Sequence, residues 1–302
     1  MGEESNYLFL TGKVRAMEKE LFDLSRYSRL MEHKDTESLV NDLADSPYSG
    51  FITAEDFEKG LREFIYDRYD YFRKKMDDSA VLDIFMIKND ILNYMNFEKG
   101  IKEEDLYGQG VFKAGWWKED RQPVFFRKVR ERMSKMTRAK DKDVPDENII
   151  EKVCVDIVNE TYAGRIKSRF IEGYWSCTID IKNLFINLYR RNSGIYLSGG
   201  SINENFWRDI NIEEEIPLKL KAQPYADRLF AEEDRSKWDN ITRTWLGRLI
   251  RKMRMVSFGP EPVVAYMLSI LEEAFNLGMI RTGLNMGLEN VRIKEGLSLA
   301  YI

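Results

Sequence analysis

Five cations, Arg243, Arg248, Arg251, Lys252 and Arg254, crowd one short stretch in the last quarter of the chain. Guanidinium and ammonium groups at helical spacing can make charge-assisted hydrogen bonds to carboxylates or phosphates on a partner. A helix over Asp239 to Val256 would place Ile241, Trp245, Leu249, Met253 and Val256 inward and the five cations on the opposite half of the wheel. A second basic stretch, Arg127 to Lys140, carries Arg127, Lys128, Arg130, Arg132, Lys135, Arg138 and Lys140. Each stretch reads either as a solvated helix face or as a docking surface for an acidic partner.

The residue types that ordinarily carry catalysis are sparse. His33 is the one histidine and lies in a charged segment, where it reads as a surface residue without an orienting neighbour. Cys154 and Cys177 have neither metal-site nor disulfide-framework spacing, and they fit a reducing, cytoplasmic setting. The glycine pairs Gly108/Gly110 and Gly199/Gly200 lack the Lys-Ser/Thr ending of a phosphate loop and read as turns needing positive φ. Glu213-Glu214-Glu215 reads as a solvated face, and a di-iron site would need more than one histidine. Glu272 and Glu273 are unusual because they interrupt a wide apolar helix face. Asn89, Asn183 and Asn276 lie nearby in successive stretches, and the expectation is that they tie helix ends or loops. The aromatic groups Gly115-Trp116-Trp117 and Asn205-Phe206-Trp207 are expected to pack modules together rather than stack on nucleic acid. No catalytic residue, cofactor, metal site or small-molecule substrate is expected.

The elements that must position these residues are helical. Apolar residues make up 43% of the 302, enough for a substantial core, while 32% charged residues nearly cancel to a net −4, which argues against general affinity for polyanions. MGEESN has no apolar signal region, and the uncharged run Pro262 to Leu271 falls short of a bilayer span. Helices are expected at Val14–Leu24, Glu37–Leu43, Asp56–Met76, Val81–Phe97, Asp146–Arg169 and Asp239–Val256. Gly259 and Pro260 end the last of these, and Pro262 suits the first turn of a long buried helix running past Leu277. Ile87-Lys88-Asn89 aligns with Ile181-Lys182-Asn183, and Asn276 follows Asn183 at nearly the same spacing. This self-similarity predicts an all-α chain of three modules, 1–104, 105–195 and 196–302.

The segment SFGPEPVVAYML with EEAFNLGMIRTGLNMGL, and the opening YLFLTGKVRAMEKELFDLSRYSRLMEHKDTESLVNDLADSPY, resemble the C-type subunit family of the V/A-type ATPases (the d-type subunit in eukaryotes). The resemblance implies a pseudo-threefold, funnel-shaped fold and a non-catalytic rotor component on the cytoplasmic face of the membrane. Its implied partners are the central shaft subunits and the membrane proteolipid ring, and its implied role is coupling ATP hydrolysis or synthesis to proton or sodium transport. The reading from a different class is a helical-repeat scaffold or a nucleic-acid-binding module that uses the basic stretches.

Overall fold

A computed structural model describes residues 3–101, 110–112, 124–138, 147–190, 194–212 and 216–302. Among them the regular structure is helical, with no strand. The expected positions at Gly108, Gly115 to Trp117, Lys140 and Glu213 to Glu215 lie outside the described residues. The described residues fall into two compact units. One joins 1–79 to 223–302, and the other spans 80–222. These cuts differ from the module limits read from self-similarity.

The first unit is assembled around α13, Pro260–Asn285. Gly259 precedes it at φ 127°, a conformation that suits a residue without Cβ, and the prolines at its start lack only N–H groups that no helical carbonyl would accept. Val263, Val264, Met267, Ile270, Leu277 and Ile280 are all buried. By length and composition α13 could cross a membrane, its mean hydropathy reaching 1.4, but 72% of that window is buried inside the protein. It therefore packs as a core helix of this unit, surrounded by α1 (Glu3–Met17), α3 (Thr36–Asp42), α4 (Phe57–Arg73), α12 (Trp238–Arg254) and α14 (Asn290–Gly296). On α4, within the expected Asp56–Met76 helix, Phe57, Leu61, Phe64, Ile65 and Phe72 recur at helical spacing and are buried, and so is Met76 just beyond it. The helix expected at Val14–Leu24 instead starts at Glu3 and ends at Met17. A short 3-10 turn follows, and Asp23 caps α2 (Leu24–Leu30) by accepting from the Arg26 N–H at 2.7 Å. Residues 226–230 form α11.

The second unit contains α5 (Ala80–Glu98), α6 (Val124–Arg138), α7 (Glu147–Thr161), α8 (Arg169–Arg190), α9 (Glu204–Asp209) and α10 (Leu218–Lys221). Ile149, Ile150, Val153 and Ile157 of α7 are buried as their spacing predicts. That helix stops at Thr161, so the expected Asp146–Arg169 helix divides and α8 begins at Arg169.

Candidate docking surface

On α12 the buried stripe is Trp238, Thr242, Gly247, Ile250 and Met253, while Ile241, Trp245, Leu249 and Val256 are only half-buried. The inward face is therefore rotated from the one expected. At roughly 100° per residue, Arg243 and Arg254 lie within about 40° of Ile250. Both turn into the unit. Arg243 donates to Glu272 Oε2 at 2.7 Å and lies 3.2 Å from the centre of the Phe275 ring. Arg254 donates through Nε to Glu18 at 3.1 Å and through Nη1 to the Tyr301 carbonyl at 2.9 Å. Arg15 completes this junction, reaching Glu18 at 2.8 Å, the Arg254 carbonyl, and the Val256 carbonyl at 3.0 Å.

Of the five expected docking cations, this leaves Arg248, Arg251 and Lys252 on the open face, all exposed and with no side-chain partner among the described residues. Arg251 and Lys252 line an open cleft of about 360 Å³ with Arg15, Arg254, Met255 and Ile302. Met255 is 83% exposed at its edge and Phe258 is 54% exposed just beyond α12. Free cations beside exposed apolar side chains can receive an acidic, amphipathic segment. In the second unit, α6 turns Phe125, Phe126, Val129 and Met133 inward and exposes Arg127, Lys128, Arg130 and Lys135, again without partners among the described residues. Arg132 leaves that set because it holds Glu160 at 2.7 Å.

Asn183 and Asn276 tie loops as expected. Asn183 donates to the Leu197 carbonyl at 2.9 Å and accepts from the Leu197 N–H at 2.7 Å. Asn276 makes the same pair of bonds with Ser298, at 2.8 and 2.9 Å. Each stands three residues after a buried acid, Asp180 and Glu273, and on α5 the buried pair at this spacing is Asp90 and Asn93. Asn89 is half-buried. Asn89 and Asn93 sit one helical turn apart on similar faces, so helical periodicity could not choose between them.

Of the three acids, sequence pattern singles out Glu273, which interrupts a wide apolar face, but not Asp90 or Asp180, because an isolated carboxylate on an apolar helix forms no motif. Asp90 accepts from the Val111 and Phe112 N–H groups at 2.7 and 3.2 Å. Ninety residues later Asp180 accepts from the Ser201 and Ile202 N–H groups at 2.9 and 3.1 Å, and from the Ser201 hydroxyl. Gly110 and Gly200 stand where an added Cβ would run into these carboxylates. Close approach, not positive φ, thus explains these two glycines, while Gly199 does have a φ of 91°. Burial is the largest influence on all three acids and raises each toward its neutral form, Asp90 and Glu273 to about 7.

The remaining candidates are absorbed into the structure. His33 is half-buried with an orienting partner after all, Asp42 at 2.9 Å, which Arg29 and Arg26 share. Trp207 is fully buried, so it cannot stack on a nucleobase. No group of three or more potential metal ligands occurs among the described residues.

Residues 10–111 match the family model described as ATP synthase (C/AC39) subunit, which supports the resemblance read from the opening segment. The second segment carrying that resemblance, from Ser257 onward, lies beyond the matched residues. No curated protein matches the chain.

Proposed function

With residues 10–111 matching the ATP synthase (C/AC39) subunit family as the premise, we propose that this chain is a non-catalytic coupling subunit of a rotary V/A-type ATPase. It transmits torque between the central shaft and the membrane ring, on the cytoplasmic side, during rotary transport of protons or sodium ions. That family match is the observation that carries the reading. The two free basic faces support it, because a coupling component needs surfaces that engage other chains. Arg248, Arg251 and Lys252 beside Met255 serve as one such surface, and the outward face of α6 as another. Complementary charge at such faces speeds encounter and sets register, while apolar burial holds the complex. The three-module organisation, with breaks near residues 105 and 196, belongs to the same proposal. The buried acid-x-x-Asn pairs on α5, α8 and α13 support it.

Gentle solubilisation of native membranes followed by affinity purification of this chain tests the reading. Recovery of shaft and proteolipid-ring subunits is the expected result. Recovery of nucleic acid, with binding that weakens steeply as salt rises, would replace it with the nucleic-acid-binding alternative.

A further inference from the structure

Glu273 lies in the middle of α13, 2% exposed, and no lysine or arginine pairs with it among the described residues. Its Oε2 accepts the Phe22 N–H at 2.6 Å, and its Oε1 accepts the Tyr48 hydroxyl at 2.9 Å. Phe22 and Tyr48 flank α2 and α3, so this single carboxyl fastens both ends of that helical pair to the core helix. The Phe22 ring meets Tyr27 and Tyr48 edge-on, with centroids 5.9 and 5.8 Å away. An open cavity of about 370 Å³ is lined by Phe22 and by Pro47, the neighbour of Tyr48. We propose that Glu273 is the proton-exchanging pin of a latch, tight while the carboxyl is protonated and looser once the proton leaves.

The chemistry follows from the surroundings. In the neutral form the acid proton sits between Oε1 and the Tyr48 oxygen, while the Phe22 N–H still donates to Oε2. When the proton departs to solvent the Tyr48 hydroxyl becomes the donor, so both contacts persist, but a full negative charge now lies in a site without a cation. Tyr27, Tyr48 and Tyr301 face it, all held neutral by burial. On its own helix, Glu272 is turned to Arg243 of α12. Arg68 of α4, with Glu18 and Glu20, acts around Tyr266, two turns earlier on α13. The charges of α3 and α14 point elsewhere: Asp42 pairs with Arg29 and His33, Arg292 pairs with Glu295, and Glu37 and Lys294 are exposed. On α1, Arg15 is committed to Glu18. The carboxyl is accordingly raised from its ordinary value to about 7, burial outweighing the two hydrogen bonds. An opened latch exposes an ordinary glutamic acid, so opening releases a proton and grows easier with rising pH, up to about tenfold per unit, levelling off above neutrality.

Hydrogen exchange at the Phe22 amide of the full chain, normalised to the intrinsic rate at each pH, reads the latch directly. Between pH 5.5 and 7, protection in the unaltered protein is expected to fall severalfold or more. In Glu273→Gln, which keeps the shape without the titration, it should stay flat. Equal pH dependence in both proteins, or none in the unaltered protein, overturns the proposal. A carbon-13 titration of the labelled Glu273 carboxyl in the unaltered protein decides independently of whether the variant folds. An inflection near neutrality supports the latch, and one in the ordinary range near 4.5 defeats it.

Discussion

Asn183 and Leu197 exchange two hydrogen bonds, the side-chain amide donating to the Leu197 carbonyl at 2.9 Å and accepting from its N–H at 2.7 Å. The amide thus imitates a neighbouring strand for one residue, and it satisfies a buried N–H and C=O that no helix or sheet serves. Asn183→Ala leaves both groups unpaired, at about 1–3 kcal/mol for each buried group. Denaturation by urea should show a loss of about 2–6 kcal/mol in the unit spanning 80–222. Asn183→Asp should fare little better, because an ionised carboxylate cannot donate to the carbonyl. Alanine at half-buried Asn89 should cost clearly less, which tests whether Asn93 is the true counterpart.

Gly110→Ala and Gly200→Ala drive a methyl group into the Asp90 and Asp180 carboxylates respectively. Neither glycine has a positive φ, so the cost is steric and electrostatic rather than conformational. Each should lower stability by about 1–3 kcal/mol, from overpacking together with strained hydrogen bonds. Gly164→Ala, where the added Cβ meets nothing, is the control and should be near neutral in thermal denaturation.

Arg254 and its neighbours on α12 should separate folding from docking. Reversing Arg254 to Glu places a carboxylate beside Glu18 and the Tyr301 carbonyl, so thermal stability should fall by about 1–3 kcal/mol. Reversing Arg251 and Lys252 together should leave the circular dichroism and melting temperature unchanged. It should slow association with shaft or ring and weaken its salt dependence. An equal loss of stability in both variants would contradict the division of α12 into committed and free cations.

Asp90 makes stability depend on pH in an assignable window. Burial, reinforced by Asp83 and offset by the Val111 and Phe112 N–H groups, raises its folded-state value from 3.8 to about 7. A carboxyl raised on folding binds its proton more tightly in the native state, so its stabilisation is complete below about pH 4 and is lost as pH climbs through about 7. The slope reaches about 1.4 kcal/mol per pH unit for one group. Unfolding free energies measured at half-unit steps from pH 5 to 8 should decline in the unaltered protein and decline less steeply in Asp90→Asn.

The cysteines should differ sharply toward thiol reagents. Cys154 is fully buried, and burial pushes its thiol well above the ordinary value, whereas Cys177 is half-buried. The thiolate is the reactive form, so native protein at pH 8 should label at Cys177 long before Cys154. Mass spectrometry of the labelled peptides gives the order directly.

Helix identity and approximate extent were largely written in local residue patterns. The inward set on α4, the four isoleucine and valine positions on α7, and the Gly259–Pro260 boundary all emerged where spacing placed them. These depend on periodicity and on backbone chemistry that each residue carries with it. Tertiary packing decided the rest. Ile241, Trp245 and Leu249 suggested one inward face for α12, but contact with α13 and the C-terminal residues selects Thr242, Gly247 and Ile250 instead. That rotation removes Arg243 and Arg254 from the open surface. Glu272 and Glu273, adjacent in the chain, likewise part company: one meets an arginine at the edge of α13, and the other enters the core. Two neighbouring carboxylates look alike in a sequence. A difference of about 100° around the helix axis gives them different solvents, and only the packed neighbours determine which side is dry.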